Sequence, residues 1–245
     1  MTLAIKVIVG GIIGMLINYL SDVLPVSRRF TKPLCKVCNQ SFSIKDYLVY
    51  FRCSQCGSRK PIRSIIVLIS TIVVCMLLNF YPFPNLGFWA TLPILIFLGA
   101  ILVIDIEHHA VLVETSIFGF VLFFAYGMML TGFQRTITGA LAGFMVMLVF
   151  YFMGFAFSKL VGALRHQAID EVVFGFGDVC LGVNLGLLTG WPLIIGAIAI
   201  SIIAFEVFTL AFFIALLISR KYHAFSSALP FTPFLIIGAV VIFYL

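Results

Sequence analysis

Two carboxylates set in apolar surroundings are the side chains of this chain best placed to do chemistry. Asp178 follows Phe174-Gly175-Phe176-Gly177 inside an apolar run from Val172 to Leu188, and Asp105 follows Ile101-Leu102-Val103-Ile104 and precedes Ile106-Glu107-His108-His109. A charge in hydrocarbon is costly, so such acids face a partner or a wet cavity and mark function. Gly175 and Gly177 remove side-chain bulk and let another helix or a substrate backbone come close. Two close carboxylates in a low-dielectric site do not both ionise readily, and they share a proton. One then acts as base on a bridging water while the other donates to a peptide carbonyl, which is aspartic hydrolysis without a cofactor. The same acids would also suit a proton or ion pathway, and spacing alone leaves both readings open. Glu107, His108 and His109 either support the pair or form a solvated helix end. Glu206 is a third intramembrane acid, either protonated and bonded to a neighbouring helix or functional.

The second chemical signal is Cys35-Lys36-Val37-Cys38 followed by Cys53-Ser54-Gln55-Cys56-Gly57, two C-x-x-C pairs separated by 14 residues. That spacing suits tetrahedral Zn²⁺ held by the four thiolates of Cys35, Cys38, Cys53 and Cys56. Four protein ligands leave no open position for catalysis, so the metal's role is to fold a loop too short to make its own core. Two disulfides are the rival reading, disfavoured in a reducing compartment. Cys75 and Cys180 lie in apolar runs, outside any ligand spacing, and read as packing residues.

These groups need elements to hold them, and the composition says which kind. With 63% hydrophobic and 10% charged residues and a mean hydropathy of +1.22, the chain is an all-α integral membrane protein. Alternating strands of the barrel type are absent from the pattern. Eight apolar segments approach the length of a helical span: Leu3–Leu20, Ser64–Phe80, Phe88–Ile106, Val111–Leu130, Ile137–Leu160, Val172–Leu188, Leu193–Ser219 and Leu229–Leu245. The reading is one polytopic membrane domain, residues 1–245, with the tetracysteine loop 21–63 inserted between the first two helices. No small-residue cleavage site follows the first segment, so it reads as a retained span. Threading the spans puts 13 of the 15 basic residues on the side of that loop, leaving Lys6 and Arg135 opposite. By the positive-inside rule this side is cytoplasmic. The net charge of +6 is then a topology signal rather than a mark of nucleic-acid binding. On the same side, Pro230-Phe231-Thr232-Pro233-Phe234 opens the last span, as a kinked helix start or a shaped wall beside the carboxylates. The threading places Asp178 about 10 Å into the sixth span, counting a helical rise of ~1.5 Å per residue from Glu171.

Asp105-Ile106-Glu107-His108-His109 and Gly175-Phe176-Gly177-Asp178-Val179 together resemble the two aspartate motifs of the type IV prepilin peptidases, of the GxGD aspartic protease group. The two C-x-x-C pairs are similar to that family's zinc loop, Gly14-Met15-Leu16-Ile17-Asn18-Tyr19 to its N-terminal glycine–asparagine motif, and Pro230 to Phe234 to its proline-rich turn. The resemblance implies an aspartic endopeptidase of the bacterial inner membrane that cleaves leaders from prepilins or pseudopilins on the cytoplasmic side. It implies Asp105 and Asp178 as the dyad, with Gly175, Gly177, Glu107, Pro230 and Pro233 in support, and structural zinc. Many members also methylate the new N-terminus with S-adenosylmethionine, an activity assigned to the N-terminal motif and loop. This chain departs from the family at several points. Val111-Leu112-Val113-Glu114 replaces a Leu-Pro-Asp stretch, Cys180 replaces a lysine, and Asp22 precedes Val23-Leu24-Pro25 where an arginine and a proline are usual. Rival readings are a peptidase without methylation, a proton-coupled transporter or a non-catalytic pilus assembly factor. Against transport, the sequence lacks a corresponding pair of broken helices in two halves.

Overall fold

The computed structural model describes residues 3–35, 37–43, 46–47, 52–83, 85–108, 112–165, 175–219 and 229–245, the side chains of 160–165 excepted. Of the positions singled out in the sequence, Lys36, Lys45, His109, Val111, Glu171, Val172, Phe174, Arg220 and Lys221 lie outside these residues, as does the side chain of Arg165. The described residues form eight helices: α1 (Leu3–Ser27), α2 (Ile62–Phe80), α3 (Phe88–His108), α4 (Val113–Leu130), α5 (Phe133–Arg165), α6 (Phe176–Thr189), α7 (Leu193–Ser219) and α8 (Thr232–Tyr244). Among them there is no strand, only two isolated bridges in the tetracysteine loop, Leu34 with Ser41 and Arg52 with Arg59. Six helices are long and apolar enough to cross a membrane, and the chain is a multi-pass membrane protein.

The chain divides into two compact units, Met1–His108 and His109–Leu245. In the first, α1 packs on both α2 and α3. The Gly14–Tyr19 stretch explains how. A Cβ at Gly14 would run into the Thr71 hydroxyl and come within 3.0 Å of Leu68 Cα, so the glycine admits α2. One turn on, the buried Asn18 donates from Nδ2 to the Ser64 carbonyl at 3.0 Å. Beneath them Ile13, Ile17, Cys75, Leu92 and Val103 make the core of this unit.

In the second unit α6 is central, in contact with α4, α5, α7 and α8. Leu181, Leu185, Leu187 and Leu188 are fully enclosed. At 14 residues α6 is only about 21 Å long by the ~1.5 Å helical rise, short of a bilayer's hydrocarbon thickness. A helix sheathed in protein does not have to match lipid, because its ends meet side chains rather than hydrocarbon. The close sheath comes from glycine. Gly182, Gly186 and Gly190 recur every fourth residue and face Gly139 and Gly143 of α5, so closely that a Cβ at Gly186 would fall on the Gly139 carbonyl. Such small-xxx-small stripes bring helix backbones together where no hydrophobic effect assists.

The helix bounds correct the sequence reading at several ends. α1 runs on to Ser27 where the segment was read to Leu20, so that residues 21–27 of the expected loop are helical, and α5 starts at Phe133 rather than Ile137. In the run read from Val172, whose residues 172–174 lie outside the described ones, Gly175 is extended (φ −76°, ψ 153°) and α6 begins at Phe176. Two glycines in three residues carry little helix propensity, and the start falls between them. In the last segment, expected to begin at Leu229, α8 begins at Thr232.

Candidate functional site

The start of α6 fixes Asp178. It stands in the first turn, not two turns inside, and its backbone N–H donates to the Gly175 carbonyl at 3.1 Å. Its Oδ2 accepts the Gly175 N–H at 3.2 Å. A carboxylate at this position meets the unsatisfied N–H groups and the positive end of the helix, both favourable to negative charge. Its other oxygen, Oδ1, accepts from the Thr232 hydroxyl at 3.4 Å. Thr232 is fully buried and is the first residue of α8, with Pro233 behind it in the helix's opening turn. The proline-rich turn is pinned in place by Phe205 of α7, whose ring lies edge-on to Phe231 and Phe234 at 5.4 and 5.3 Å. The contact of the proline-rich turn with this carboxylate is the hydroxyl of Thr232, the residue before Pro233. Gly175 is exposed, and a Cβ there would find nothing nearer than Gly177 N at 3.8 Å. Among the described residues, then, no packed neighbour requires the absence of a side chain at 175.

Asp105 belongs to the first unit. It is buried, one turn from the end of α3, while the following Ile106 is exposed. Glu107 faces a cluster. Arg63, from the first turn of α2, pairs through Nη1 with Glu107 and through Nη2 with Asp22 of α1 at 2.5 Å. Asp22 also accepts the Tyr47 hydroxyl at 2.6 Å. Burial and the Asp22 charge push the Tyr47 phenol well above its usual range. The Lys60 ammonium sits 2.8 Å above the Tyr47 ring, and burial brings its pKa down to about 8.

The four cysteines form a cluster in which every sulfur lies within 4.8 Å of the others. Cys35 and Cys56 are 3.6 Å apart, and Cys38 and Cys53 are 3.7 Å apart. Sulfurs at ~2.3 Å from a tetrahedral zinc stand roughly 3.8 Å from each other, so the spacing fits the ion. The two pairs fold alike. Asn39 N–H closes on the Cys35 carbonyl at 2.9 Å and Gly57 N–H on the Cys53 carbonyl at 3.0 Å. Asn39 and Gly57 both take left-handed backbone (φ 55° and 69°), so the glycine after the second pair relieves a real constraint. Backbone N–H groups of Cys38 and Val37 lower the Cys35 thiol to about 7, and those of Cys56 and Gln55 lower Cys53. At Cys38 and Cys56 the Gln40 and Ser58 N–H groups are outweighed by burial and the neighbouring sulfurs, which push these thiols up, so that one thiol of each pair ionises ahead of the other. Cys75 is wholly buried in α2 and Cys180 half-buried in α6, both outside the cluster.

The sequence reading passed over Thr232, Arg63 and Tyr47 and took Asp22 only as a departure. Thr232 had a signal, a hydroxyl framed by two prolines. Arg63 and Asp22 had none, since their partners lie 41 and 44 residues away along the chain. Glu206 lies on an exposed face midway along α7.

Residues 92–210 match the model of the type IV leader peptidase family, a segment that contains both Asp105 and Asp178. No curated protein and no solved structure matches the chain.

Proposed function

We propose that the chain is a membrane aspartic endopeptidase removing leaders from prepilins or pseudopilins, a reading supported by the match of residues 92–210 to the type IV leader peptidase family model. The observation that carries the reading is that both intramembrane aspartates fall inside the matched segment. Asp105 and Asp178 form the dyad. Sharing one proton, one carboxylate takes a proton from water as it attacks the scissile carbonyl, and the other protonates the carbonyl oxygen. Gly175 and Thr232 hold one carboxylate of the pair, with a donor on each oxygen of Asp178. The absence of a side chain at Gly175 leaves room for an extended substrate backbone. Gly177 sits in the first turn behind it, and Pro230 and Pro233 set the start of α8.

The chain acts as one polytopic domain of a bacterial inner membrane, with loop 21–63 and the dyad on the cytoplasmic side. The support is the basic residues gathered in that loop and in the connectors on its side. Cys35, Cys38, Cys53 and Cys56 would hold zinc, which supplies folding energy to the loop and no chemistry to the substrate.

Two cavities border the tetracysteine loop, and both fit S-adenosylmethionine poorly. One of about 880 Å³, apolar apart from Tyr19, Thr31, Lys32 and Tyr47, offers a sulfonium no carboxylate, and the other is basic. The cavity between the end of α1 and the tetracysteine loop, about 350 Å³, is lined by Lys32, Arg59 and Lys60 against the single carboxylate of Asp22. That carboxylate is already engaged by Arg63 and Tyr47. Three cations disfavour a sulfonium, and the Gly14–Asn18 motif is occupied in packing α1 on α2. The reading is a peptidase without methylation.

The test is mass spectrometry of a co-expressed prepilin with wild-type enzyme, Asp105→Asn and Asp178→Asn in parallel. Wild type alone should shorten the pilin, with no further ~14 Da, the mass of one added CH₂. Cleavage at the wild-type rate by either variant would refute the dyad, and a methylated product would refute the peptidase-only reading.

A further inference from the structure

Helix α3 ends in an arrangement that helix electrostatics disfavours. Its last turn holds Asp105 and Glu107, two acids at the end where unsatisfied carbonyls already concentrate negative charge. The only basic side chain that α3 itself offers there is His108, with Nε2 3.9 Å from Glu107. The strong cation comes from elsewhere. Arg63 spreads its guanidinium over two carboxylates from two different helices, Glu107 of α3 and Asp22 of α1. All three side chains are largely shielded, at 16%, 17% and 23% exposure for Arg63, Asp22 and Glu107. A planar guanidinium with two carboxylates in its fork is a rigid joint, which a lysine's single ammonium does not reproduce.

The joint continues into the tetracysteine loop. The second oxygen of Asp22 holds the Tyr47 hydroxyl, and the Tyr47 ring meets Phe42 edge-on at 5.7 Å. Phe42 N–H in turn donates to Pro33 at 2.9 Å, beside the Leu34–Ser41 bridge that frames Cys35 and Cys38. Three helices and the loop of this unit thus converge on one guanidinium. Glu107 lies two residues beyond Asp105, so the two side chains leave the helix roughly 200° apart. Arg63 thus grips the backbone of the last turn through Glu107, not through the Asp105 side chain.

Resting on the peptidase reading above, we propose that Arg63 is a positioning residue: by clamping Glu107 to Asp22 it fixes the last turn of α3 and so the attitude of Asp105. A carboxylate displaced by about 1 Å from its productive geometry loses on the order of 100-fold in rate. Arg63→Gln and Glu107→Gln should therefore each lower kcat by about 10- to 100-fold with KM within about twofold. The double variant should lose no more than the worse single one, because both break the same joint. Arg63→Lys, able to serve one carboxylate at a time, should fall between wild type and Arg63→Gln. Hydrogen exchange supplies a readout independent of activity. Amides of residues 104–108 should exchange faster in both Gln variants, with those of α7 unchanged. Wild-type kcat in both folded Gln variants, additive losses, or unchanged exchange at 104–108 would overturn the proposal. If wild type cleaves no prepilin, the peptidase reading fails by itself, and the exchange experiment still decides whether Arg63 fixes the end of α3.

Discussion

Gly186→Ala tests whether backbone contact between α5 and α6 holds the second unit together. The added Cβ would collide with the Gly139 carbonyl oxygen and stand 2.8 Å from Gly139 C and 3.1 Å from Ala140 Cα. All three are backbone atoms, so no side chain can swing aside. Carbon atoms pack at about 3.5–4.0 Å, so the helices must separate by roughly 0.7–1 Å. Overpacking of this kind costs about 1–3 kcal/mol. Alanine returns roughly 0.5–1 kcal/mol through helix propensity, leaving a net loss of up to about 2.5 kcal/mol. Gly11 of α1 is the internal control, since a Cβ there meets nothing within 4 Å. Gly11→Ala should keep only the propensity gain, so the two variants should differ by the overpacking cost itself, about 1–3 kcal/mol. Unfolding in mixed micelles, followed by tryptophan fluorescence, can read this. The chain has two tryptophans, and Trp191 adjoins α6 with its backbone N–H on the Arg135 carbonyl at 2.9 Å. The reasoning is refuted if Gly186→Ala matches Gly11→Ala in stability.

Other outcomes follow from the same geometry. Thr232→Val keeps the shape of the buried side chain and removes the donor to Asp178 Oδ1. At about 0.5–1.5 kcal/mol for one hydrogen bond, kcat should fall roughly 2- to 10-fold without loss of folded protein; an unchanged kcat would remove Thr232 from the site. Freshly purified, reduced protein should hold one Zn²⁺ for the four thiolates of the cluster, and Cys53→Ser should lose it and raise protease sensitivity in loop 21–63. Metal analysis finding none in wild type would count against the ion. Lys60, with its pKa brought from 10.5 to about 8 by burial, binds its proton less tightly in the folded than in the unfolded chain. Between those two values the unfolded state holds the extra proton, so stability from this group rises with pH across that window. Competitive acetylation should give Lys60 an apparent pKa near 8, and a value above 10 would show its ammonium to be fully solvated.

What was legible in the sequence divides by range along the chain. The tetracysteine site was readable because its ligands sit in two short pairs whose local turns bring the sulfurs together. The eight helices were readable because hydropathy is summed over whole segments. The start of the Asp178 helix was not legible in hydropathy, since an apolar run says nothing about where its helix begins. The local signal was present in Gly175 and Gly177, whose low helix propensity outweighed the hydropathy of the residues around them. The Asp22–Arg63–Glu107 joint was unreadable in principle from spacing. Which of nine basic residues in one loop finds a buried carboxylate depends on where α1, α2 and α3 pack. That packing rests on small details such as Gly14 facing Thr71.

The same distinction explains why α6 can be so short. A hydropathy profile treats every apolar segment as if it faced lipid and asks each to reach across the bilayer. The glycine stripe of α6 was visible as a spacing, but its meaning depends on α5 offering Gly139 and Gly143 at matching heights. Once the two stripes meet, α6 is enclosed by its neighbours and freed from the length that lipid imposes. Its N-terminus, with Asp178 in the first turn, is then not tied to the bilayer surface. Glycine thus serves twice in this helix, at Gly175 by ending it beside Asp178, and at Gly182, Gly186 and Gly190 by letting protein rather than lipid surround it.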